Sequence, residues 1–281
     1  MRITLLANRD LHANFVVDRL VDALPEHEFS LVLSERVGRA ADLPRELVEL
    51  AQHERGLLTE LVAPFTADRR PSPARPATRT FEQLAACLDA PPMVVNRPRS
   101  DSGRRVLADL APALMISIRY GGILDAEHAA SAPHGVLNLH SGRLPDYRGI
   151  LASLRAALAG DEVLCCTLHR IVDSGIDTGP IIATADSPLD VERSLLWNIA
   201  RLYEPGVALI EDAVRRIAAG DALPGTPQDL DAGAYFGLPD ADTLAALRAR
   251  GLRLVDLADS IELLRERYLP PGSEAPEGEH R

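Results

Sequence analysis

The chain has 281 residues, 46% hydrophobic and 25% charged, with a formal net charge of −11. These proportions fit an ordinary soluble globular protein of one large domain, or of one domain and a smaller companion. All 30 basic residues are Arg, which excludes a Lys Schiff base, a Lys nucleophile and a phosphate-loop Lys, and the acidic balance argues against a nucleic-acid partner.

Three cysteines occur, Cys87, Cys165 and Cys166. The adjacent pair lies in an apolar run and reads as small core hydrophobes rather than redox or metal groups. The N-terminus turns polar too soon for a signal peptide, and no apolar run approaches the ~20 residues that span a bilayer. The expected location is the cytoplasm, with no membrane partner.

Taken in order, Ile3–Ala7 reads as a buried strand, His12–Leu24 as an amphipathic helix and Phe29–Leu33 as a second strand. That is the opening of a β-α-β unit with a parallel sheet. The first turn, Asn8-Arg9-Asp10, lacks the GxGxxG of a dinucleotide site. A long helix is expected over Leu43–Val62. The Pro- and Arg-rich stretch from Thr66 to Thr80 is expected to be an exposed loop, or an arm that reaches an anionic ligand or a second subunit. Phe81–Leu88 and Ser102–Leu110 read as helices, and Met93–Asn96 and Leu114–Ile118 as strands. Arg119-Tyr120-Gly121-Gly122-Ile123-Leu124 then sets a glycine pair beyond a strand, where backbone can approach a ligand.

Gly135–His140 is the next expected strand, followed by a turn-rich segment and a helix over Leu151–Leu158. Val163–Val172 and Ile181–Ala185 read as strands around the loop Asp173-Ser174-Gly175-Ile176-Asp177-Thr178-Gly179-Pro180. Two helices, Val191–Tyr203 and Val207–Ala219, are expected on either side of Pro205. A strand-like piece at Tyr235-Phe236-Gly237, two helices over 241–250 and 255–268, and a disordered tail complete the chain. The expected organisation is a catalytic domain over 1–189, a helical C-terminal extension over 190–268 and a tail over 269–281.

Asn138 and His140, two apart on a strand, project to the same side. With His169 and Asp177 they form the polar group most able to carry chemistry. Three readings compete: a metal site of two His and one Asp, a Ser141 nucleophile beside His140, and a site that polarises a carbonyl without a covalent intermediate. In the last, Asn138 donates to a developing oxyanion, His140 acts as acid or electrophile, and Asp177 sets the His protonation state. The two glycine-rich loops favour it. The metal reading lacks an HExxH pair, and the Ser reading lacks a GxSxG elbow.

The run Asn138-Leu139-His140 with Leu144-Pro145-Asp146-Tyr147-Arg148-Gly149 resembles the signature of formyltransferases that use 10-formyltetrahydrofolate. Asp173-Ser174-Gly175-Ile176-Asp177-Thr178-Gly179 resembles their second signature, in the same order and at a fitting distance. The resemblance covers residues 112–187 best. It implies an α/β Rossmann-like formyltransferase fold with a mostly parallel sheet and a small, mainly helical C-terminal extension. It implies a catalytic trio of Asn138, His140 and Asp177. It places the pterin of 10-formyltetrahydrofolate, the co-substrate, against Tyr120, Gly121, Ile123 and Leu124 and against Val172, Asp173 and Ser174. No metal is implied.

Departures bear on the acceptor. Ser141-Gly142-Arg143 stands where the family commonly has Pro-Ser-Leu, and the first turn lacks the phosphate-cradling glycines of the purine-pathway member. The variant is most similar to enzymes that formylate a hydroxyornithine side chain for siderophores, so N5-hydroxyornithine is the favoured small-molecule acceptor. Enzymes formylating amino sugars on nucleotide-linked sugars come next. A formyltetrahydrofolate hydrolase and a non-catalytic folate-binding protein stand as alternatives. The expected acceptor contacts are Asn8, Arg9, Asp10, Ser141 and Arg143. A homodimer is one assembly this reading allows.

Overall fold

A computed structural model describes residues 1–35, 43–66, 77–88 and 90–269. The expected tail beyond Leu269 and most of the Pro- and Arg-rich stretch lie outside the described residues. Where that stretch re-enters, Thr78 N–H donates to the Arg267 carbonyl at 2.7 Å and Arg79 Nε meets Asp18 at 2.7 Å. Its described end is thus tied to the body of the protein, and the Arg79 anion partner is internal.

The strands are β1 (Arg2–Asn8), β2 (Glu28–Ser34), β3 (Met93–Val94), β4 (Leu114–Ile118), β5 (Val136–His140), β6 (Tyr147–Gly149), β7 (Val163–Ile171), β8 (Ile181–Pro188) and β9 (Ala234–Phe236). The α-helices are α1 (Leu11–Ala23), α2 (Arg45–Ala51), α3 (Ala63–Thr66), α4 (Phe81–Leu84), α5 (Asp101–Asp109), α6 (Ala126–Ser131), α7 (Ala152–Ala159), α8 (Leu195–Ala218), α9 (Ala241–Ala249) and α10 (Leu257–Tyr268). Seven strands form one sheet in the order β3-β2-β1-β4-β5-β7-β8. The first five are parallel, and β7 and β8 run antiparallel to their neighbours. The sheet is mostly parallel, and helices cover both faces, as the apolar runs of β1 and β4 require.

Alternation along the strands separates the two faces. Leu137 and Leu139 of β5 join Leu5, Ile116, Cys166 and Leu168 against α1 and α8. Leu6, Met115 and Val136 pack on the other face with Leu107 of α5. Asn138 and His140 follow Val136, so they belong to that second face. Cys165 and Cys166 are both buried, and burial pushes each thiol up to about 12, so neither offers a thiolate.

Three expectations need correction. The helix expected over 43–62 is not uniform: Gln52–Val62 winds as a π-helix between α2 and α3. The turn-rich segment after β5 contains a strand, because Tyr147–Gly149 finds a parallel partner in Ala234–Phe236, a pairing about 90 residues away that local pattern cannot anticipate. Third, α8 runs unbroken through Pro205. A proline inside a helix costs about 3 kcal/mol. Here Ile199, Leu202, Tyr203, Val207 and Ile210 form one buried stripe across the break, and fully burying each such side chain contributes roughly 1.5–3 kcal/mol. The helix also starts later than expected, at Leu195, where the Ser194 side chain caps it through the Trp197 N–H.

Candidate active site

β5 delivers Asn138 and His140 to one face, and β7 sets His169 opposite Asn138 and Thr167 opposite His140. Directly paired residues share a face, so three of the four polar groups meet by register alone. Asn138 Nδ2 lies 3.0 Å from His169 Nε2, and His169 Nδ1 lies 2.9 Å from the Arg170 carbonyl. A carbonyl only accepts, which assigns the His169 proton to Nδ1 and leaves Nε2 to accept from the Asn138 amide. One Asn138 N–H is thereby used. The second has only a long 3.5 Å approach to Asp177 Oδ1.

Asp177 comes from the loop between β7 and β8, which folds back over this face. Its backbone is left-handed, with φ of +56°, a conformation that Asp tolerates better than most side chains. The loop can lie this close to β7 only because residue 179 is glycine: a Cβ there would sit 1.8 Å from the Arg170 carbonyl oxygen. The carboxylate is surrounded. Oδ2 accepts from the Gly149 N–H at 2.9 Å and faces His140 Nδ1 at 3.4 Å. Burial opposes its ionisation, but His140, His169 (whose Nε2 lies 3.4 Å from Oδ1) and the Gly149 N–H together outweigh burial and hold the carboxyl down to about 2.

His140 is buried, with Nε2 2.8 Å from the Tyr147 carbonyl. Both ring nitrogens therefore face acceptors, which fixes the orientation of the ring. The turn beyond it presses on the imidazole: a Cβ at Gly142 would lie 2.7 Å from His140 Nε2. Thr167 fastens that turn, donating to the Gly142 carbonyl at 2.7 Å and accepting from the Leu144 N–H at 3.2 Å.

Two segments flank this centre. Tyr120–Leu124 follows β4, one neighbour of β5, and Val172–Ile176 follows β7, the other. Each shows apolar surface to solvent: Ile123 is 46% exposed, Val172 44% and Ile176 40%. The Tyr120 hydroxyl donates to the Val95 carbonyl and the Gly121 N–H to Ser34 Oγ at 2.9 Å, while Leu124 is buried. Asp173 accepts from the Gly175 N–H at 2.7 Å and shapes the second loop, with Ser174 exposed beside it. Exposed apolar side chains beside backbone polar groups fit a flat heteroaromatic ligand such as a pterin.

Of the expected acceptor residues, Asn8 and Asp10 stand together and adjoin Ser141 through Tyr203, whereas Arg9 and Arg143 pair with other acids. Asp10 is buried as the cap of α1, accepting from the Ala13 N–H at 2.9 Å, from Asn8 Nδ2 at 2.8 Å and from Arg119 Nε at 2.8 Å. Arg9 pairs with Glu82 at 2.5 Å and Glu35 at 3.2 Å. Arg143 reaches Asp186 of β8 at 2.8 Å, and the Ser141 hydroxyl lies against Tyr203.

Sequence reasoning missed several groups. The Gly149 N–H and Tyr147 carbonyl are backbone, which no residue pattern advertises. Gln228 donates to the Asp177 carbonyl at 3.0 Å and the Gly179 carbonyl at 2.6 Å. A buried network beyond β1 and β4 was also missed. Arg119 there bridges Asp10 and Glu54, the latter at 2.7 Å. His12 stacks on Tyr203 with ring centres 5.9 Å apart. Burial, reinforced by Asp10 and partly offset by Arg119, raises the Glu54 carboxyl to about 7.

A family model described as formyl transferase matches residues 64–213, over half of the chain. The chain belongs to the formyl transferase family. A methionyl-tRNA formyltransferase of Nitrosococcus oceani is 30% identical over 196 residues, covering 70% of this chain and 59% of that protein. One from Thermus thermophilus is 33% identical over 145 residues, covering 51% and 47%. The chain thus spans less than two thirds of the length of these curated relatives. Among solved structures, a phosphoribosylglycinamide formyltransferase from Anaplasma phagocytophilum superposes with a TM-score of 0.54 at 21% identity, covering 84% of this chain and 98% of that one. A 4-N formyltransferase from Francisella tularensis gives 0.55 at 13%, covering 96% and 89%. At such identities these structures support the formyltransferase fold. Among the described residues no group of His, Cys, Asp and Glu is placed to hold a metal ion, and no helix is long and apolar enough to cross a membrane.

Proposed function

We propose that this member of the family transfers a formyl group from 10-formyltetrahydrofolate to a nitrogen nucleophile of a small molecule, with N5-hydroxyornithine as the first acceptor to test. The observation that carries the reading is the meeting of Asn138, His140 and Asp177 on one sheet face, with His140 Nδ1 3.4 Å from Asp177 Oδ2.

Tyr120, Gly121, Ile123 and Leu124 on one side, and Val172, Asp173 and Ser174 on the other, would hold the pterin. The co-substrate supplies an activated formyl carbon; this chain supplies the rest. As the acceptor nitrogen adds to that carbon, negative charge develops on the formyl oxygen. The second N–H of Asn138, only loosely held by Asp177, turns to that oxygen, and His140 acts beside it as acid or electrophile. Asp177, ionised and desolvated, accepts the proton that the nitrogen must lose. The folate nitrogen takes a proton as its bond to the formyl carbon breaks, so the exchange is proton-neutral.

The acidic balance and the sequence at 141–143 favour a small acceptor. A second reading, transfer to methionyl-tRNA, is favoured by the names of the curated relatives. Both are tested by incubating the protein and 10-formyltetrahydrofolate with N5-hydroxyornithine, an amino-sugar nucleotide or methionyl-tRNA, and following formylated product and tetrahydrofolate together. Product with the hydroxyornithine supports the proposal, product only with tRNA replaces it, and formate released without any acceptor identifies a hydrolase.

A further inference from the structure

We infer that Gln228 is a positioning residue for Asp177, so that the segment after α8 holds the catalytic loop in place. This rests on the role proposed for Asp177. The Gln228 amide nitrogen donates to two carbonyls of the same loop, those of Asp177 at 3.0 Å and Gly179 at 2.6 Å. Between them they fix the orientation of the left-handed Asp177 residue, whose φ is +56°. A non-glycine residue in that region relaxes to a more favourable backbone when nothing restrains it, and such a rotation would swing the carboxylate away from His140.

Two further contacts belong to the same segment. Thr226 and Ile181 exchange backbone hydrogen bonds at 2.7 and 2.8 Å, which seats Gln228 beside the start of β8. Farther along, β9 pairs Phe236 with Gly149 of β6, and it is the Gly149 N–H that binds Asp177 Oδ2 at 2.9 Å. One stretch of chain therefore grips Asp177 at both ends, at its backbone through Gln228 and at its carboxylate through Gly149.

The other end of the Gln228 amide distinguishes positioning from packing. Its Oε1 is buried and has no hydrogen-bond partner among the described residues. A buried unpaired acceptor is unfavourable, so this amide contributes little net stability. Its specific effect is on the Asp177 loop.

The test uses the full chain with Gln228→Met, which keeps the side-chain length and removes both donors. Turnover is expected to fall about 10- to 100-fold, less than the roughly 10²- to 10⁴-fold for losing a proton-transfer group outright, with KM for 10-formyltetrahydrofolate within about two-fold and the unfolding temperature within a few degrees. In an Asp177→Asn background the same substitution is expected to cost no more than about two-fold, because positioned and positioning residues act as one unit. A second readout needs no substrate: the Gly149 amide proton, protected by the Asp177 carboxylate, is expected to exchange at least about ten-fold faster in Gln228→Met. Undiminished turnover, additive losses, a variant that no longer folds, or unchanged Gly149 exchange would each overturn the inference. If Asp177→Asn itself left turnover intact, the proposed function would fail, while the exchange measurement would still decide what Gln228 does.

Discussion

His140 and Asp177 stand with Nδ1 and Oδ2 3.4 Å apart, while the other His140 nitrogen lies 2.8 Å from the Tyr147 carbonyl. The ring is thus held between two acceptors, one a carboxylate kept ionised. Both groups are already oriented in the resting protein, so little reorganisation is required when charge develops on a substrate.

Asp177→Asn is expected to lower turnover about 10²- to 10⁴-fold, the range of a general base, with the fold retained because an amide still accepts from the Gly149 N–H. Since the carboxyl is held down to about 2, it stays ionised throughout the neutral range and contributes no limb to the rate–pH profile there. Its folded value lies below the unfolded one, so its stabilisation is present above the ordinary carboxylate range and is lost as pH falls through about 2. Rates measured from about pH 5 to 9 check the assignment; an inflection in that window that disappears in Asp177→Asn would contradict it.

Asn138→Ala removes an amide whose second N–H, held only by a long 3.5 Å approach to Asp177, can turn to an oxyanion. The expected loss is about 10²- to 10³-fold in turnover, or roughly 3 kcal/mol of barrier. It also strands the buried His169 Nε2, which costs about 1–3 kcal/mol of stability. Steady-state kinetics paired with chemical denaturation separates the two effects. A loss confined to stability would remove Asn138 from the chemistry.

Gly179→Ala sets a methyl group 1.8 Å from the Arg170 carbonyl oxygen. Neither atom can yield without moving the loop, so destabilisation of about 1–3 kcal/mol is expected, together with loss of activity as Asp177 shifts. Thermal unfolding and turnover are the readouts. Native activity in this variant would show that the Asp177 loop has slack that the structure does not reveal.

Glu54→Gln probes the buried network. The Glu54 carboxyl is raised to about 7, so its contribution is fully present below the ordinary Glu value and is lost as pH rises through about 7. The groups facing it are Arg119 at 2.7 Å and His12 at 3.8 Å, with Asp10 reached through Arg119. Burial keeps His12 well below its ordinary value, and it remains neutral. The unfolding temperature of Glu54→Gln relative to the wild type is therefore expected to rise between about pH 5 and 8. A pH-independent difference would place the Glu54 carboxyl near its ordinary value.

Most of the fold was legible because local patterns sufficed. The apolar runs of β1, β4 and β5, the amphipathic spacing of α1 and the Gly160 cap of α7 each carry their own signal. Pro205 misled because proline is a strong local breaker, yet its cost was offset by a buried stripe formed only in the folded chain. The strand at Tyr147–Gly149 was hidden because its partner lies near residue 235. The candidate trio was legible through its residue types and spacing. Its supports were not, since the Gly149 N–H, the Tyr147 carbonyl and the Arg170 carbonyl are backbone atoms common to every residue.

The sequence by itself determined which side chains are available: an amide and an imidazole two apart on a strand, and an acid between glycines. It also determined the α/β class, through alternating strand and helix periods. The tertiary structure decided that Asp177 and His169 arrive at that strand, because antiparallel register and a folded-back loop bring together residues 31 and 39 positions from Asn138. It decided as well that Asp10 is consumed in capping and in an ion pair. Sequence spacing specifies direction along an element; contact across elements depends on packing, which exists only once the whole core has formed.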